Sequence, residues 1–237
     1  MAPPAAAIEV QHGEKPERLI VAFSGFRDQL MMPMFDFFGA ARALRCSRIL
    51  LFDETRTAFT AGIPSVARGR EALTALLREK IAELAPRTTV FVGASGGGHA
   101  ALSYGHALAP DIVHAFSPFT YGDSANIARY NDRELGEGRA EVLERIRAHG
   151  VNLDDMDLAR VMRTRNGRTR YFVHACRRST YDAMRAKHLR EVPRVKVLLY
   201  SCGSHAVLQF LARQRMLMRL LAEDPVAWLR EASASRE

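Results

Sequence analysis

The most constraining feature of the chain is the stretch from Val90 to Leu102, where an apolar, β-branched run ends in Gly-x-Ser-x-Gly and a run of small residues follows. This layout predicts a strand that turns sharply into a helix, with Ser95 at the turn in a strained backbone conformation. Glycines at 93 and 97 allow the strand and the helix to approach where a Cβ would clash. The pattern is typical of a nucleophile elbow, which requires an acid and then a histidine after later strands.

Apolar runs alternate with helical patterns along most of the chain, which predicts an α/β fold with a mostly parallel sheet of about six strands and helices on both faces. Residues 119–168 interrupt this alternation, because they are polar and rich in Gly, Asn, Asp and Arg. We interpret them as a short helical lid. The strands are predicted over 19–23, 48–53, 88–92, 111–116, 170–175 and 195–200, and the helices over 33–44, 66–84, 96–108, 139–149, 157–163, 181–189 and 205–222.

The length of 237 residues and the hydrophobic content of 48% favour one sizeable core, so we predict a single domain over 17–237 after a disordered lead-in over 1–16. No apolar run approaches the roughly 20 residues of a membrane span. The first residues lack the pattern of a signal peptide. Three cysteines, Cys46, Cys176 and Cys202, are too few and too scattered for a disulfide framework, which favours a reducing, cytoplasmic location.

The net charge of +8 would suit a polyanion, but the charge pattern argues against one. Lysines are few, and the arginines are spread along the whole chain. The nearest approach to a cluster lacks the interleaved aromatic residues of a nucleic-acid groove. We therefore expect no nucleic-acid partner. That cluster consists of Arg160, Arg163, Arg165, Arg168 and Arg170.

Between the strand near residue 170 and the end of the last strand, the only carboxylates are Asp182 and Glu191. Asp182 follows a strand directly and so lies at the edge of the sheet where active sites gather, whereas Glu191 lies at the far end of the next helix. His205 follows the last strand, after Ser204 as a candidate helix cap. The order Ser95, Asp182, His205 is that of a serine hydrolase triad.

The remaining histidines show no pairing with metal-ligand spacing, so no metal and no cofactor are predicted. His99 follows the serine by one helical turn and can approach the pocket, while His114 and His174 lie inside strands and are interpreted as buried, satisfied side chains. The oxyanion of an acyl-transfer reaction would lie between the N–H of Gly96 and an N–H after the first strand, for which Phe26 is the candidate.

Two other interpretations compete with acyl transfer. Gly96, Gly98 and Ala101 match the dinucleotide pattern G-x-G-x-x-A, but the acid required at the end of the next strand is missing. A phosphate-binding P-loop is excluded because no Gly-Lys-Ser/Thr follows. A hydrolase-fold binding or assembly protein with little turnover stays open.

The sequence resembles the α/β-hydrolase superfamily over residues 19 to about 220, and within it a group of small bacterial proteins often encoded beside glycosyltransferases and surface-polysaccharide genes. The resemblance implies a cofactor-free serine hydrolase acting on a carboxylic ester, such as a small acyl or glycan ester. A thioesterase, peptidase or acyltransferase would use the same triad. The resemblance to this group rests on residues 21–25, 93–102 with Tyr104 and Gly105, 115–118, 181–183, 205–207, Phe210 and Leu211.

The chain departs from that group beside the nucleophile, where Gly96 stands in place of the usual methionine and makes the pocket wall smaller. Loops 26–32 and 54–65 and the lid are expected to shape the pocket. An apolar acyl site is one interpretation of several large side chains, and core packing is the other. These side chains are Phe26, Met31, Met32, Phe35 and Phe59. The oligomeric state is not predicted.

Overall fold

The computed structural model describes residues 7–26, 44–164, 167–203 and 205–222. Its strands are β1 (Ile8–Gln11), β2 (Lys15–Phe23), β3 (Cys46–Leu51), β4 (Gly62–Ile63), β5 (Ala67–Arg68), β6 (Thr88–Ala94), β7 (Ile112–Phe116), β8 (Arg170–Cys176) and β9 (Val195–Tyr200). Seven of them form one sheet in the order β1-β3-β2-β6-β7-β8-β9, and β4 pairs with β5 separately. All neighbours in the large sheet are parallel except β1, which is antiparallel to β3.

The helices follow the strands as the alternating pattern predicts. They are α1 (Arg70–Leu84), α2 (Gly96–Leu108), α3 (Ser124–Tyr130), α4 (Arg133–Gly136), α5 (Ala140–Ala148), a 3-10 turn (Leu153–Met156), α6 (Leu158–Val161), α7 (Thr180–His188), α8 (Val207–Arg213) and α9 (Leu217–Ala222). The predicted α/β class with a mostly parallel sheet is confirmed, with one more strand in the sheet than expected.

The central strands are apolar on both sides because helices cover both faces of the sheet. On one face, side chains of α1, α2 and α7 pack against alternate residues of β2, β6, β7 and β8. On the other face, α8 and α9 pack against the remaining residues of those strands. The sheet therefore holds the carboxyl ends of β6, β7 and β8 side by side at one edge, and that edge carries the candidate site.

The predicted disordered lead-in over 1–16 is wrong for the part that the structure describes. Ile8 to Gln11 form the edge strand β1, with Ile8 opposite Leu51 and Val10 opposite Ile49. The reason is that β3 has a free edge, and an extended segment with alternating apolar side chains can satisfy its backbone groups. Strand β2 then begins at Lys15, so only residues 12–14 link the two strands.

Two predicted helices differ from those observed. The helix predicted from residue 66 begins at Arg70, because Gly69 before it has φ +86°. The helix predicted over 205–222 is two helices, α8 and α9, and the break contains Arg215 with φ 57°. The helix predicted over 33–44 lies outside the described residues except for Leu44.

The segment between β7 and β8, predicted as a lid, contains α3 to α6 around a small apolar cluster of its own. Its main polar connection to the body is Arg185 of α7. The guanidinium donates two hydrogen bonds to the Asp132 carboxylate, both at 2.8 Å, and a third to Glu134 at 2.5 Å. Arg185 and Asp132 are both almost fully buried, so this ion pair fixes the segment on α7.

The cysteines also differ from the expectation. Cys176 at the end of β8 and Cys202 after β9 form a disulfide, whereas Cys46 is free and buried. The two cysteines are 26 residues apart, so the sequence does not indicate that they pair. They meet because β8 and β9 are neighbours in the sheet, with Cys176 opposite Tyr200. Within the described residues, no helix has the length and apolar character needed to cross a membrane.

Candidate active site

Ser95 lies at the sharp turn between β6 and α2, as its sequence context predicts. Its backbone has φ 56° and ψ −119°, a conformation that residues with a side chain rarely adopt. The Ser95 N–H donates to the carbonyl of Phe116 on β7, and the Ser95 carbonyl accepts from the N–H groups of Gly98 and His99. These bonds hold the strained turn in place at the carboxyl edge of the sheet.

Glycines make this turn sterically feasible. A Cβ on Gly93 would lie 1.9 Å from the Gly97 carbonyl oxygen, and a Cβ on Gly97 would lie 2.3 Å from the Phe23 carbonyl oxygen. Both distances are far shorter than a van der Waals contact, and the atoms involved belong to backbone that cannot move aside. The sequence interpretation of positions 93 and 97 as close approaches of strand and helix is therefore confirmed by the geometry.

Gly96 and Phe26, the two predicted oxyanion residues, are in direct contact. A Cβ on Gly96 would lie 2.8 Å from Phe26 Cε1, so the aromatic ring occupies the space that a side chain at position 96 would need. The Phe26 ring also lies 5.4 Å from the Phe119 ring of the lid segment.

The amino end of α2 supplies backbone donors beside Ser95. The first N–H groups of a helix have no carbonyl partner within it. The Gly98 and His99 groups are satisfied by the Ser95 carbonyl, which leaves those of Gly96 and Gly97 as the helix-end donors. A helix amino end carries a partial positive charge, so this position favours a developing negative charge on a bound oxygen.

Asp182 and His205 are brought together across the edge of the sheet. Asp182 lies in the first turn of α7, and its Oδ1 is 2.8 Å from His205 Nδ1. Burial by itself would raise the pKa of the Asp182 carboxyl, but the hydrogen bond and charge of His205 outweigh it and lower that pKa. The carboxyl is therefore ionised at neutral pH. Glu191, the other candidate acid, is exposed beyond the end of α7.

The second ring nitrogen of His205 has no hydrogen-bond partner within the described part of the chain, although it is shielded from solvent. A carboxylate oxygen can only accept, so Nδ1 carries a proton, and in the neutral imidazole Nε2 is the atom with the lone pair. The structure does not join Nε2 to the Ser95 hydroxyl by a hydrogen bond. Hydrogen bonds of this kind are often long before substrate binds.

Ser117 belongs to the same edge and was not singled out from the sequence. It follows β7 with φ 43°, and its N–H donates to the His174 carbonyl at 2.7 Å. The hydroxyls of Ser179 and Ser117 also lower the pKa of Asp182. A Ser-Pro pair directly after a strand that neighbours the elbow strand is the signal that could have identified it.

The other singled-out histidines are buried. His99 Nδ1 lies 3.2 Å from the Phe119 carbonyl, and burial lowers the pKa of His99 to about 4. His114 Nδ1 lies 3.0 Å from His174 Nε2, and His174 Nδ1 lies 2.9 Å from the Tyr200 hydroxyl. Burial lowers the pKa of His114 to about 3. His114 and His174 are thus buried and bonded to each other, as their strand positions predict, but His114 Nε2 has no hydrogen-bond partner among the described residues.

A cavity of about 720 Å³ lies beside α2, between loop 55–71 and residues 149–161 of the lid segment. Both segments were predicted to shape the pocket. Ser95 is not among the lining residues, whereas His99, one helical turn further on, is. Phe59 lines the cavity too, although its side chain is fully buried against Phe23. Met31, Met32 and Phe35 lie outside the described residues, as does Ser204.

Comparison with known proteins is informative only at the level of structure. No protein-family model matches the sequence, and no curated protein matches it. Among solved structures, the chain is similar to the bacterial brefeldin A esterase, with 16% identity, a TM-score of 0.59, and coverage of 94% of this chain and 78% of that one. It is also similar to an α/β-hydrolase enzyme from the sediment metagenome of the Mar Chica lagoon, with 14% identity, a TM-score of 0.55 and 98% coverage of both chains.

A third similar structure is an esterase of Pyrococcus furiosus, with 12% identity, a TM-score of 0.54, and coverage of 84% of this chain and 79% of that one. The chain has the α/β-hydrolase fold. At such low identity the likeness extends to the fold and not to the chemistry. Within the hydrolase fold, the residues described above must therefore support any function by their own geometry.

Proposed function

We propose that this protein is a serine hydrolase that cleaves a carboxylic ester through an acyl-enzyme. One observation carries the proposal: His205 Nδ1 is held 2.8 Å from a buried carboxylate, while its Nε2 is shielded from solvent and has no partner among the described residues. An imidazole held through Nδ1 by a buried carboxylate, with Nε2 unbonded among the described residues, is the arrangement that a general base requires. The strained Ser95 at the same edge of the sheet supplies the group that it would serve.

In the proposed reaction, Ser95 Oγ attacks the ester carbonyl carbon while His205 Nε2 accepts the hydroxyl proton. Asp182 keeps the imidazole in the tautomer with Nδ1 protonated and stabilises the imidazolium cation. The cation then donates its Nε2 proton to the departing alkoxide, which leaves as the alcohol. Water, deprotonated by the same nitrogen, attacks the acyl-enzyme; the imidazolium then returns its Nε2 proton to the departing Ser95 Oγ, and the carboxylic acid is released.

The negative charge on the tetrahedral oxygen requires donors that are already in place. The Gly96 N–H at the amino end of α2 suits this role by its position beside the nucleophile, and we retain the Phe26 N–H as the second donor. Loss of one such donor costs on the order of 3 kcal/mol of transition-state stabilisation. The Phe26 ring fills the space beside Gly96, which supports a role for the Phe26 loop next to the nucleophile.

A small acyl or glycan ester is the substrate class that we propose. The resemblance described above supports it, and the apolar rings of Phe26 and Phe119 lie beside Gly96, next to the proposed nucleophile. A thioesterase or an acyltransferase would use the same three residues and would differ only in the leaving group or the acceptor. We further propose that the sheet, with β1 included, and the lid over 119–168 act as one domain, without a nucleic-acid partner.

A fluorophosphonate probe tests the proposal without knowledge of the substrate, because it reacts with an activated serine. Labelling of the wild type should be lost in Ser95→Ala and should fall at least about 10²-fold in His205→Ala. Ser103→Ala, which removes another buried hydroxyl of the same helix, is the matched control and should label normally. Absence of labelling in folded wild-type protein would overturn the proposal in favour of a binding protein. A panel of esters and thioesters then separates the candidate reactions.

The cytoplasmic location inferred from cysteine usage stays a proposal, and the disulfide provides its test. Disulfides persist mainly in oxidising compartments, and Cys176 is bonded to Cys202. Acid quenching of cells followed by thiol alkylation measures the redox state of this pair in place. A fully reduced pair would support the cytoplasmic location, and a fully oxidised pair would contradict it.

A further inference from the structure

The disulfide lies between the two chain segments that carry the candidate acid and base. Cys176 ends β8, three residues before Ser179, whose N–H donates to the Cys176 carbonyl as α7 begins. Asp182 follows in the first turn of that helix. Cys202 lies on the other segment, three residues before His205, and the two Cα atoms are only 4.8 Å apart. The bond thus ties the start of the Asp182 helix to the start of the His205 loop.

In the His205 loop, the described residues from Ser201 to Gly203 are attached mainly through the backbone of Cys202. The Cys202 carbonyl accepts from the Arg178 N–H at 3.2 Å, and the Cys202 N–H donates back to the Tyr200 carbonyl at 2.8 Å. Ser201 and Gly203 are exposed, and a Cβ on Gly203 would meet no atom within 4 Å. β9 itself is the half-exposed edge strand of the sheet. The disulfide thus adds a covalent restraint to the hydrogen bond between His205 and Asp182 on the described part of this loop.

We infer that Cys176 and Cys202 are positioning residues for His205, and that reduction of their disulfide lowers turnover by releasing the loop that carries the base. This inference rests on the proposed function. A displacement of about 1 Å in a catalytic group can cost as much as 10²-fold in rate. Neither sulfur takes part in the reaction; the bond acts only by holding His205 Nε2 where it can receive the Ser95 proton.

The two sulfurs differ in access, which determines how the bond can be reduced. Cys176 is fully buried. Cys202 is half-buried and lines a groove of about 260 Å³ together with Ala206 and Phe210. A thiolate of a dithiol reductant therefore attacks Cys202 Sγ, and Cys176 leaves as a thiolate. The second thiol of the reductant then attacks the mixed disulfide, which releases Cys202 as a thiolate and leaves the reductant oxidised to its own disulfide.

The test compares the rate of fluorophosphonate labelling for oxidised, dithiothreitol-reduced and reoxidised protein, in the wild type and in His205→Ala. We expect reduction to slow labelling of the wild type at least tenfold and reoxidation to restore it, while the slow labelling of His205→Ala stays unchanged. For an ester substrate, kcat should fall with KM nearly constant. Cys46→Ala, which removes the buried free thiol, should respond to reduction as the wild type does.

Two results would overturn the inference: an unchanged rate on reduction, or an equal loss in the wild type and in His205→Ala, which would mean that the bond supports the fold and not the base. Hydrogen exchange of the peptide 201–206 gives a readout that needs no activity. Faster exchange on reduction, confined to this peptide and residues 177–180, supports the positioning role. If oxidised wild type does not label at all, the proposed function fails, and this exchange measurement still decides whether the disulfide holds the loop.

Discussion

The buried ion pair between Arg185 and Asp132 gives the most quantitative test of how the lid segment is held. Both side chains are almost completely buried, with exposed fractions of 2% and 0%. Removing one partner of such a pair leaves an uncompensated charge and costs about 3–5 kcal/mol. In Arg185→Met the Asp132 carboxylate keeps the Tyr121 hydroxyl at 2.9 Å and the Leu135 N–H at 3.0 Å. These two donors place the expected loss near the lower limit, at about 3 kcal/mol.

Methionine is the chosen replacement because it keeps aliphatic contact with the Phe119 ring, over which the Arg185 guanidinium lies at 4.9 Å. The chain offers a matched control in Arg139, which pairs with Glu134 and lies 5.7 Å from the same Phe119 ring. That pair is about one third exposed, so Arg139→Met should cost no more than about 1 kcal/mol.

Urea unfolding at neutral pH, followed by far-UV circular dichroism, measures both variants. A loss of 3 kcal/mol corresponds to a fall in Tm of about 6–12 °C for a domain of this size. Adding Asp132→Asn to Arg185→Met should recover part of the loss, because it removes the unpaired charge. Equal losses in Arg185→Met and Arg139→Met, or a loss below 1 kcal/mol in Arg185→Met, would refute the argument from burial.

Three further predictions concern the elbow and the buried histidines. Ser95→Gly should be about 1–3 kcal/mol more stable than Ser95→Ala in urea unfolding, because only glycine relieves the positive φ, and neither variant should label with the probe. Gly97→Ala should abolish labelling, because its Cβ would lie 2.3 Å from a backbone carbonyl oxygen. Gly203→Ala, where a Cβ meets no atom within 4 Å, should label normally. Equal labelling of the two variants would contradict the proposed close approach. Burial lowers the pKa of His99 to about 4 and that of His114 to about 3, so the unfolded chain binds these protons first as the pH falls below 6.5. The contribution of each neutral histidine to the free energy of unfolding is complete above pH 6.5 and should decrease by about 2 kcal/mol at pH 5. A free energy of unfolding that does not change between pH 7.5 and pH 5 would contradict this prediction.

The parts of the molecule that could be predicted from sequence are those set by local backbone constraints. Ser95 lies at a strained turn because the flanking strand and helix patterns and the glycines at 93 and 97 permit little else. Asp182 and His205 could be placed because each follows a strand, and the strands of a parallel sheet end at one edge. The sequence predicted only that an acid and then a histidine follow Ser95 along the chain. In the structure, Asp182 Oδ1 lies 2.8 Å from His205 Nδ1.

The rest depends on tertiary neighbours that sequence patterns do not reveal. The disulfide forms because β8 and β9 pair in a register that sets Cys176 opposite Tyr200. Arg185 meets Asp132 only because the lid segment folds back onto α7. The overlap of the Phe26 ring with the space above Gly96 likewise joins two distant loops. In each case the local sequence pattern does not identify the contacting residue, so the contact could not be predicted from the sequence.

The position of His205 after the edge strand β9 has a consequence for the timing of synthesis. The elbow with Ser95 and the strands that support it leave the ribosome first, while the base and its loop follow about 110 residues later. At typical elongation rates of 5–20 residues per second, about 5–20 s pass before the site can be completed. Under the proposed function, the nascent chain displays a serine without its base during that interval, and it gains activity towards esters only when the last strand has joined the sheet.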